Sequence, residues 1–166
     1  GDLFALTYIA KTDQLTALNG SGHAPAALTI DHLRQAGETD MPEMGPLSIT
    51  VPGTVDGWAA LIERHGSMPL SAVLKPAIAY AEQGYPVSEI IAHEWHEVEE
   101  LLAGTSFLIN GHAPRAGEIF RTAELAGTLR AIAEGGRDAF YRGPLAEVIA
   151  RHVQAEGGVL SASDFA

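Results

Sequence analysis

The sequence predicts an α+β protein in which a β-hairpin is followed by a mainly helical region. Strand-forming residues dominate 2–10 and 15–19, and the polar segment 11–14 between them has the length of a hairpin loop. After residue 54, every strong hydrophobic pattern has the helical period. We therefore expect residues 1–26 to form a sheet hairpin and residues 27–166 to be mostly helical.

The first predicted strand, 2–10, is apolar at nearly every position. Strands with this composition are covered by protein on both faces. The rest of the sequence holds too few strand-forming segments to build such a sheet. We therefore expect the hairpin to belong to a larger sheet than these residues supply.

Helices are predicted wherever apolar residues recur at spacings of three and four. A short helix at 29–36 ends at Gly37, and the proline-containing segment 38–52 indicates an extended connection. Ser88 is the predicted N-cap of one of the later helices, and Pro76 is expected near the first turn of another. Five longer helices are predicted, at 54–65, 71–83, 88–103, around 125–132 and around 145–153.

The composition restricts the classes of partner. Acidic residues outnumber basic ones by 21 to 10, which gives a formal charge of -11. Because this charge repels phosphate backbones and anionic lipids, we expect no nucleic acid and no membrane as a partner. The absence of cysteine excludes disulfides and a thiol nucleophile, and it leaves both a bacterial periplasmic and a cytoplasmic location open. Residues 1–3 are neither an initiator nor a signal peptide, so we expect the natural start to lie upstream.

Residues 93–97, His-Glu-Trp-His-Glu, come close to a helical zinc motif, but their histidines stand three residues apart and not four. Six glutamates and no lysine or arginine lie between Lys75 and Arg115. We expect His93 and His96 to lie on a solvated acidic helix face and to bind no metal. The alternative is a docking surface for a basic partner.

Residues 19–25, Asn-Gly-Ser-Gly-His-Ala-Pro, follow the second strand directly. Glycines on both sides of Ser21 let the backbone approach a ligand closely, although an ordinary strand-end turn has the same composition. Ser21 lacks the full Gly-x-Ser-x-Gly context of a nucleophile elbow, and His23 is too near in sequence to act as its base.

Two further segments have a structural and a functional interpretation. Residues 51–58, Val-Pro-Gly-Thr-Val-Asp-Gly-Trp, begin a helix with Thr54 available as its cap. An exposed helix N-terminus can hold an anion, but the favoured interpretation is a structural turn. Residues 138–143, Asp-Ala-Phe-Tyr-Arg-Gly, predict a buried aromatic pair between two helices, with Arg142 available to a carboxylate.

Taken in order, the segments of the chain resemble the large subunit of the gamma-glutamyltranspeptidase family. Each motif alone is weak, and the specificity comes from their shared order and spacing over essentially the whole chain. Besides the segments already quoted, the resemblance rests on Gly-Asp-Leu-Phe at 1–4, His-Gly-Ser-Met-Pro at 65–69, Leu-Lys-Pro-Ala-Ile-Ala-Tyr-Ala-Glu-Gln-Gly at 74–84, Gly-Glu-Ile-Phe at 117–120, Leu-Ala-Gly-Thr-Leu at 125–129 and Gly-Gly at 157–158.

The resemblance implies an N-terminal nucleophile hydrolase with an αββα sandwich fold, made as one precursor that cleaves itself. A threonine at the start of the small subunit would be the nucleophile and its own amine the base. No residue of this chain matches that threonine, so we assign it no catalytic residue, no metal and no cofactor. We expect residues 1–166 to be a fragment of a single large-subunit domain. Its partners would then be the small catalytic subunit from the same precursor and a small-molecule amide or gamma-glutamyl substrate.

One departure from the family pattern concerns the substrate. Typical members have, at the position of Ser21, an arginine that holds the α-carboxylate of the glutamyl group, and a serine hydroxyl cannot replace that charged pair. The resemblance places Ser21 and His23 at the wall of the substrate pocket, and the Asn-Gly-Ser-Gly pattern is more similar to an acylase-like branch.

The expected function is therefore that of a gamma-glutamyltranspeptidase-like enzyme that cleaves or transfers an acyl group from an amide. One alternative is an amide hydrolase of the same family with a non-glutamyl substrate, of the acylase or oxamate amidohydrolase type. The other is a noncatalytic acidic helical module that binds a protein.

Overall fold

The computed structural model describes residues 1–166 and confirms the predicted α+β order. The chain forms two compact units, one from residues 1–70 and 135–166 and one from residues 71–134. None of the helices has the length and apolar character needed to span a membrane. In chain order the elements are β1 (Leu3–Ile9), β2 (Gln14–Gly20), α1 (Ile30–Gln35), α2 (Thr54–His65), α3 (Leu70–Gln83), β3 (Tyr85–Pro86), α4 (Glu89–Glu97), β4 (Ile119–Phe120), α5 (Ala123–Tyr141) and α6 (Pro144–Ala155), with short 3-10 helices at Pro46–Ser48, Glu99–Leu102 and Ala162–Phe165.

The hairpin of the first unit pairs β1 with β2 in antiparallel register, from Leu3 opposite Gly20 to Ile9 opposite Gln14. One face of β1 packs on α2, where a Cβ at Gly57 would overlap the Leu3 side chain. On the other face Phe4, Leu6 and Tyr8 remain 67%, 76% and 59% exposed. Within residues 1–166 the apolar strand is therefore covered on one face only, and the larger sheet expected to cover its other face stays a prediction.

The core of the first unit lies between α2, α6 and a cluster of three aromatic rings. The rings of Phe140 and Tyr141 lie 4.9 Å apart between centroids, and Phe165 lies 6.3 Å from each of them. This confirms the predicted aromatic pair, and Arg142 contacts the carboxylate of Asp138 at 3.7 Å. The other buried side chains of this core are Val51, Val55, Ala59, Ala146, Ala150, Val153 and Leu160.

The second unit contains α3, α4 and the first part of α5, together with the two-residue strands β3 and β4. Tyr85 pairs with Phe120, whose ring contacts Trp95 of α4 at 4.6 Å between centroids. The sequence did not predict this ladder, because two residues are too few to show an alternating pattern. The buried apolar side chains of the second unit are Leu74, Ala81, Val87, Ala113, Phe120, Ala126, Leu129 and Ile132.

Helix boundaries differ from the prediction at three places. The helix expected over 88–103 ends at Glu97, and a 3-10 helix follows Val98, although Ser88 is confirmed as the N-cap of α4. Pro76 lies inside α3 and not in its first turn. The break predicted at Gly135–Gly136 is present, since Gly136 has a φ of 64° and a ψ of -154°, but the helix resumes and continues to Tyr141.

Candidate functional site

The loop that follows β2 is locked against the segment before α2 by contacts between backbones. The Val51 N–H donates to the His23 carbonyl at 2.9 Å. A Cβ at Gly22, whose φ is 76°, would overlap the Val51 carbonyl oxygen, and a Cβ at Gly53 would overlap the Gly20 carbonyl. A side chain at Gly22 or Gly53 would block this approach, so these two glycines allow the loop to pack directly on the segment before α2.

Ser21 and His23 lie on this loop in different surroundings. Ser21 is half-buried; its N–H donates to the Asn19 side-chain oxygen at 3.0 Å, and its hydroxyl has no partner in the chain. His23 is exposed, and its Nδ1 lies 3.1 Å from the Ala24 carbonyl. Because a carbonyl only accepts, Nδ1 can take part in this contact only as a donor.

A cavity of about 200 Å³ lies beside His23, and Ser21 does not line it. The two predicted residues therefore share one loop but not one cavity wall. The polar side chains that line the cavity with His23 come from distant parts of the chain, and the sequence did not predict that they meet there. They are Asp56, Arg137, Tyr141 and Asp164.

The side chain of Tyr141, the last residue of α5, contacts the N-terminus of α2. Its hydroxyl donates to the Pro52 carbonyl at 2.5 Å and accepts the Asp56 N–H at 3.0 Å. Burial raises the pKa of Tyr141, so the phenol stays neutral. The Thr54 N–H donates to the Gly1 carbonyl at 2.9 Å. The structural interpretation of this turn is therefore confirmed, because protein groups take the amides that an anion would need.

The cap predicted at Thr54 is wrong. Gly53 is the N-cap residue of α2 and Thr54 is its first helical residue. The Thr54 hydroxyl donates to the Asp2 carbonyl at 3.1 Å and so ties the helix to the start of the hairpin. The acidic residue in the first turn of α2 is Asp56, and its carboxylate pairs with Arg137 at 2.5 Å.

Asp164 is a nearly buried carboxylate, 8% exposed, and both of its oxygens are used. One oxygen accepts the Ala26 N–H at 2.8 Å. The other accepts the Ser161 N–H at 2.7 Å and the Ser161 hydroxyl at 2.6 Å. The Ser161 hydroxyl, and after it the Ala26 and Ser161 N–H groups, hold the pKa of Asp164 below its usual range against the opposing effect of burial.

His93 and His96 lie on the exposed face of α4, and each contacts a carboxylate. His93 Nε2 is 3.6 Å from Glu97, and His96 Nδ1 is 3.2 Å from Glu99. The Ala113 N–H, which donates to Glu99 at 3.0 Å, and after it His96 lower the pKa of Glu99. No group of three or more potential ligands is arranged to hold a metal ion. That these histidines bind no metal stays a prediction.

Comparison with known proteins gives matches over the full length of the chain. The family model described as Gamma-glutamyltranspeptidase matches residues 1–166. The chain is 40% identical to the glutathione hydrolase-like YwrD proenzyme of Bacillus subtilis and 40% identical to the oxamate amidohydrolase proenzyme of Klebsiella pneumoniae, covering 99% of this chain in both and 32% and 33% of the relatives. The crystal structure of cephalosporin acylase from Bacillus halodurans superposes with a TM-score of 0.90 at 38% identity, covering 99% of this chain and 32% of that chain. The chain thus spans about a third of the length of the curated relatives that it matches.

Proposed function

Since this chain belongs to the gamma-glutamyltranspeptidase family, we propose that the full-length protein is an amide hydrolase or acyltransferase of that family, with its nucleophile outside residues 1–166. The observation that carries the proposal is the family match along the entire chain, together with 40% identity to a relative named as an oxamate amidohydrolase. No Ser–His pair of the nucleophilic type exists on the loop of Ser21 to take over the reaction.

The proposed partner is a small catalytic subunit cut from the same precursor. The relatives at 40% identity are proenzymes, and this chain spans about a third of each. The outer face of β1, with Phe4, Leu6 and Tyr8 exposed, offers an apolar surface for the remaining sheet of the sandwich. In this proposal residues 1–166 form part of one large-subunit domain.

The proposed substrate is an amide that lacks the glutamyl α-carboxylate, and Ser21 and His23 are proposed to contact it. Ser21 offers a neutral hydroxyl with no partner in the chain, and a hydroxyl gives much weaker recognition of a carboxylate than a guanidinium does. Two of the three reported relatives, an oxamate amidohydrolase and a cephalosporin acylase, have names that agree with non-glutamyl amide chemistry, whereas the third is named glutathione hydrolase-like. We therefore favour amide hydrolysis over gamma-glutamyl transfer.

The test compares wild-type and Ser21→Arg full-length protein on a gamma-glutamyl anilide, oxamate and an acyl-amide that lacks the α-carboxylate. We expect the wild type to hydrolyse one of the non-glutamyl amides and to act poorly on the anilide. Ser21→Arg should raise kcat/KM for the anilide by about 10- to 150-fold, because a charged hydrogen bond contributes about 1.5–3 kcal/mol.

The matched control is Ser106→Arg, which adds the same charge at an exposed serine and should leave the anilide activity unchanged. Strong wild-type activity on the anilide that Ser21→Ala does not alter would show that another residue recognises the substrate.

A further inference from the structure

We propose that Tyr141 and Asp164 are positioning residues that clamp the loop of Ser21 and His23 through two separate sets of backbone contacts, an inference that rests on the proposed function. Neither residue hydrogen-bonds to a side chain of that loop. Both act on backbone groups, and both line the cavity beside His23. We call residues 19–26 the substrate loop.

The substrate loop needs external support because it makes few hydrogen bonds of its own. Its internal contacts are the Asn19–Ser21 turn and the contact of the His23 ring with the Ala24 carbonyl. Fixing each residue of an unsupported loop costs about 1–2 kcal/mol of conformational free energy. The backbone contacts that tie the loop to other parts of the chain therefore decide how well its side chains are placed.

Asp164 supplies one of these contacts from 138 residues away in sequence. The cap of the last 3-10 helix uses only one carboxylate oxygen, which accepts from Ser161. The other oxygen is aimed at the Ala26 N–H, where the loop ends. A cap alone would not require that second contact or the burial of the carboxylate, and both are accounted for if Asp164 holds the loop.

Tyr141 acts indirectly, through the segment 51–53 against which the loop packs. By bridging the Pro52 carbonyl and the Asp56 N–H, its hydroxyl fixes the backbone of 51–53. Gly20 and Gly22 pack on that backbone, and its Val51 N–H bonds the His23 carbonyl. Loss of the Tyr141 hydroxyl would therefore loosen the loop although it removes no hydrogen bond made by the loop itself.

The test uses full-length processed protein carrying Tyr141→Phe, which keeps the aromatic packing, or Asp164→Ala. The matched control is Ser161→Ala, which weakens the cap but leaves the Ala26 contact in place. Two quantities are measured: hydrogen exchange of peptides covering 19–28, with 70–83 of α3 as the internal reference, and kcat and KM on the best amide substrate.

We expect Tyr141→Phe and Asp164→Ala to speed exchange in the substrate loop about tenfold and to raise KM about tenfold with kcat nearly constant, and Ser161→Ala to do neither. Unchanged loop exchange in Tyr141→Phe would overturn the clamp, as would equal effects of Ser161→Ala and Asp164→Ala. Faster exchange with an unchanged KM would show that the clamped loop does not bind substrate and would overturn the positioning role. Should wild-type protein cleave no amide, the proposed function fails, and the exchange comparison still decides whether the clamp exists.

Discussion

Asp164 holds a negative charge in a nearly buried position because three donors from two residues point at it. Its neighbour Phe165 is buried as well, whereas Ser161 is half-buried and Ser163 is exposed. A carboxylate stabilised in this way is a source of pH-dependent stability, and the direction of that dependence follows from its lowered pKa.

We expect Asp164 to stabilise the fold at neutral pH and to lose this effect in acid. The folded pKa lies below the unfolded value of about 3.9, so the contribution is present above that pH and is lost as pH falls through the folded pKa. Asp164→Asn should therefore flatten the fall in unfolding free energy between about pH 5 and pH 2, as measured by urea unfolding of the full-length protein.

Asp138→Asn is the control, because the Asp138 side chain is 62% exposed in its pair with Arg142. An identical acid dependence in the wild type and Asp164→Asn would contradict the assignment.

Single residues were predictable from the sequence only where a local motif carried them. Ser21 and His23 could be singled out because both lie within one glycine-rich segment. Tyr141 contacts Pro52 from 89 residues away, and Asp164 contacts Ala26 from 138 residues away. No periodicity or spacing records such contacts. The sequence predicts Tyr141 only as part of a buried aromatic pair, so the bonds that Tyr141 and Asp164 make to the backbone could be found only in the folded chain.

At the scale of elements, two segments meet through their backbones, the loop after β2 and the start of α2. Two features of this junction require glycine at position 22. The backbone there has a φ of 76°, and a Cβ would overlap the Val51 carbonyl. Gly37 has a comparable φ of 87°, but a Cβ added to Gly37 would have no neighbour within 4 Å. Comparing substitutions at Gly22 and Gly37 therefore distinguishes the free-energy cost of a left-handed backbone from the additional cost of steric overlap.

We expect Gly22→Ala to destabilise the full-length protein clearly more than Gly37→Ala. Both substitutions force a left-handed conformation on alanine, which costs about 1–2 kcal/mol. Gly22→Ala must also displace the Val51 backbone, and overpacking of this kind adds about 1–3 kcal/mol. Unfolding free energies from urea titration measure the difference, and equal losses in the two variants would show that the junction yields without cost.

Elements were predicted well where a period extends over several turns and poorly where they are short. Helices α2 and α3 follow their apolar stripes closely. No glycine or proline marks the end of α4 at Glu97, and a 3-10 helix begins at Glu99 after a single intervening residue. Strands β3 and β4 form through tertiary pairing of Tyr85 with Phe120 and carry no pattern of their own.

At the scale of the whole molecule, the hairpin leaves one apolar face uncovered. Leu15 on β2 is 67% exposed, in addition to the three β1 side chains described above. Exposed apolar strands of this kind pair with other chains or aggregate. The α+β class and the hairpin could be predicted from composition, and so could the need for a larger sheet, because a strand that is apolar on both sides implies cover on both sides.

We expect residues 1–166 expressed alone to be aggregated or molten, because the hairpin face would have no partner. Size-exclusion chromatography, dye binding and urea unfolding measure this, with the same residues produced inside the complete precursor as the control. A monomeric product with one cooperative unfolding transition would contradict the expectation.

The glycine junction also has a consequence for how this protein can change over evolutionary time. The frame around Ser21 is built from main-chain atoms of Gly20, Gly22, Val51 and Gly53, and the Ser21 side chain takes no part in it. Under the proposed function, a codon change at position 21 alters the chemistry offered to a substrate while the backbone path is inherited intact. Substitutions that change the substrate range should therefore be found at position 21, whereas Gly22 and Gly53, where a Cβ would overlap backbone atoms, should tolerate almost no missense change.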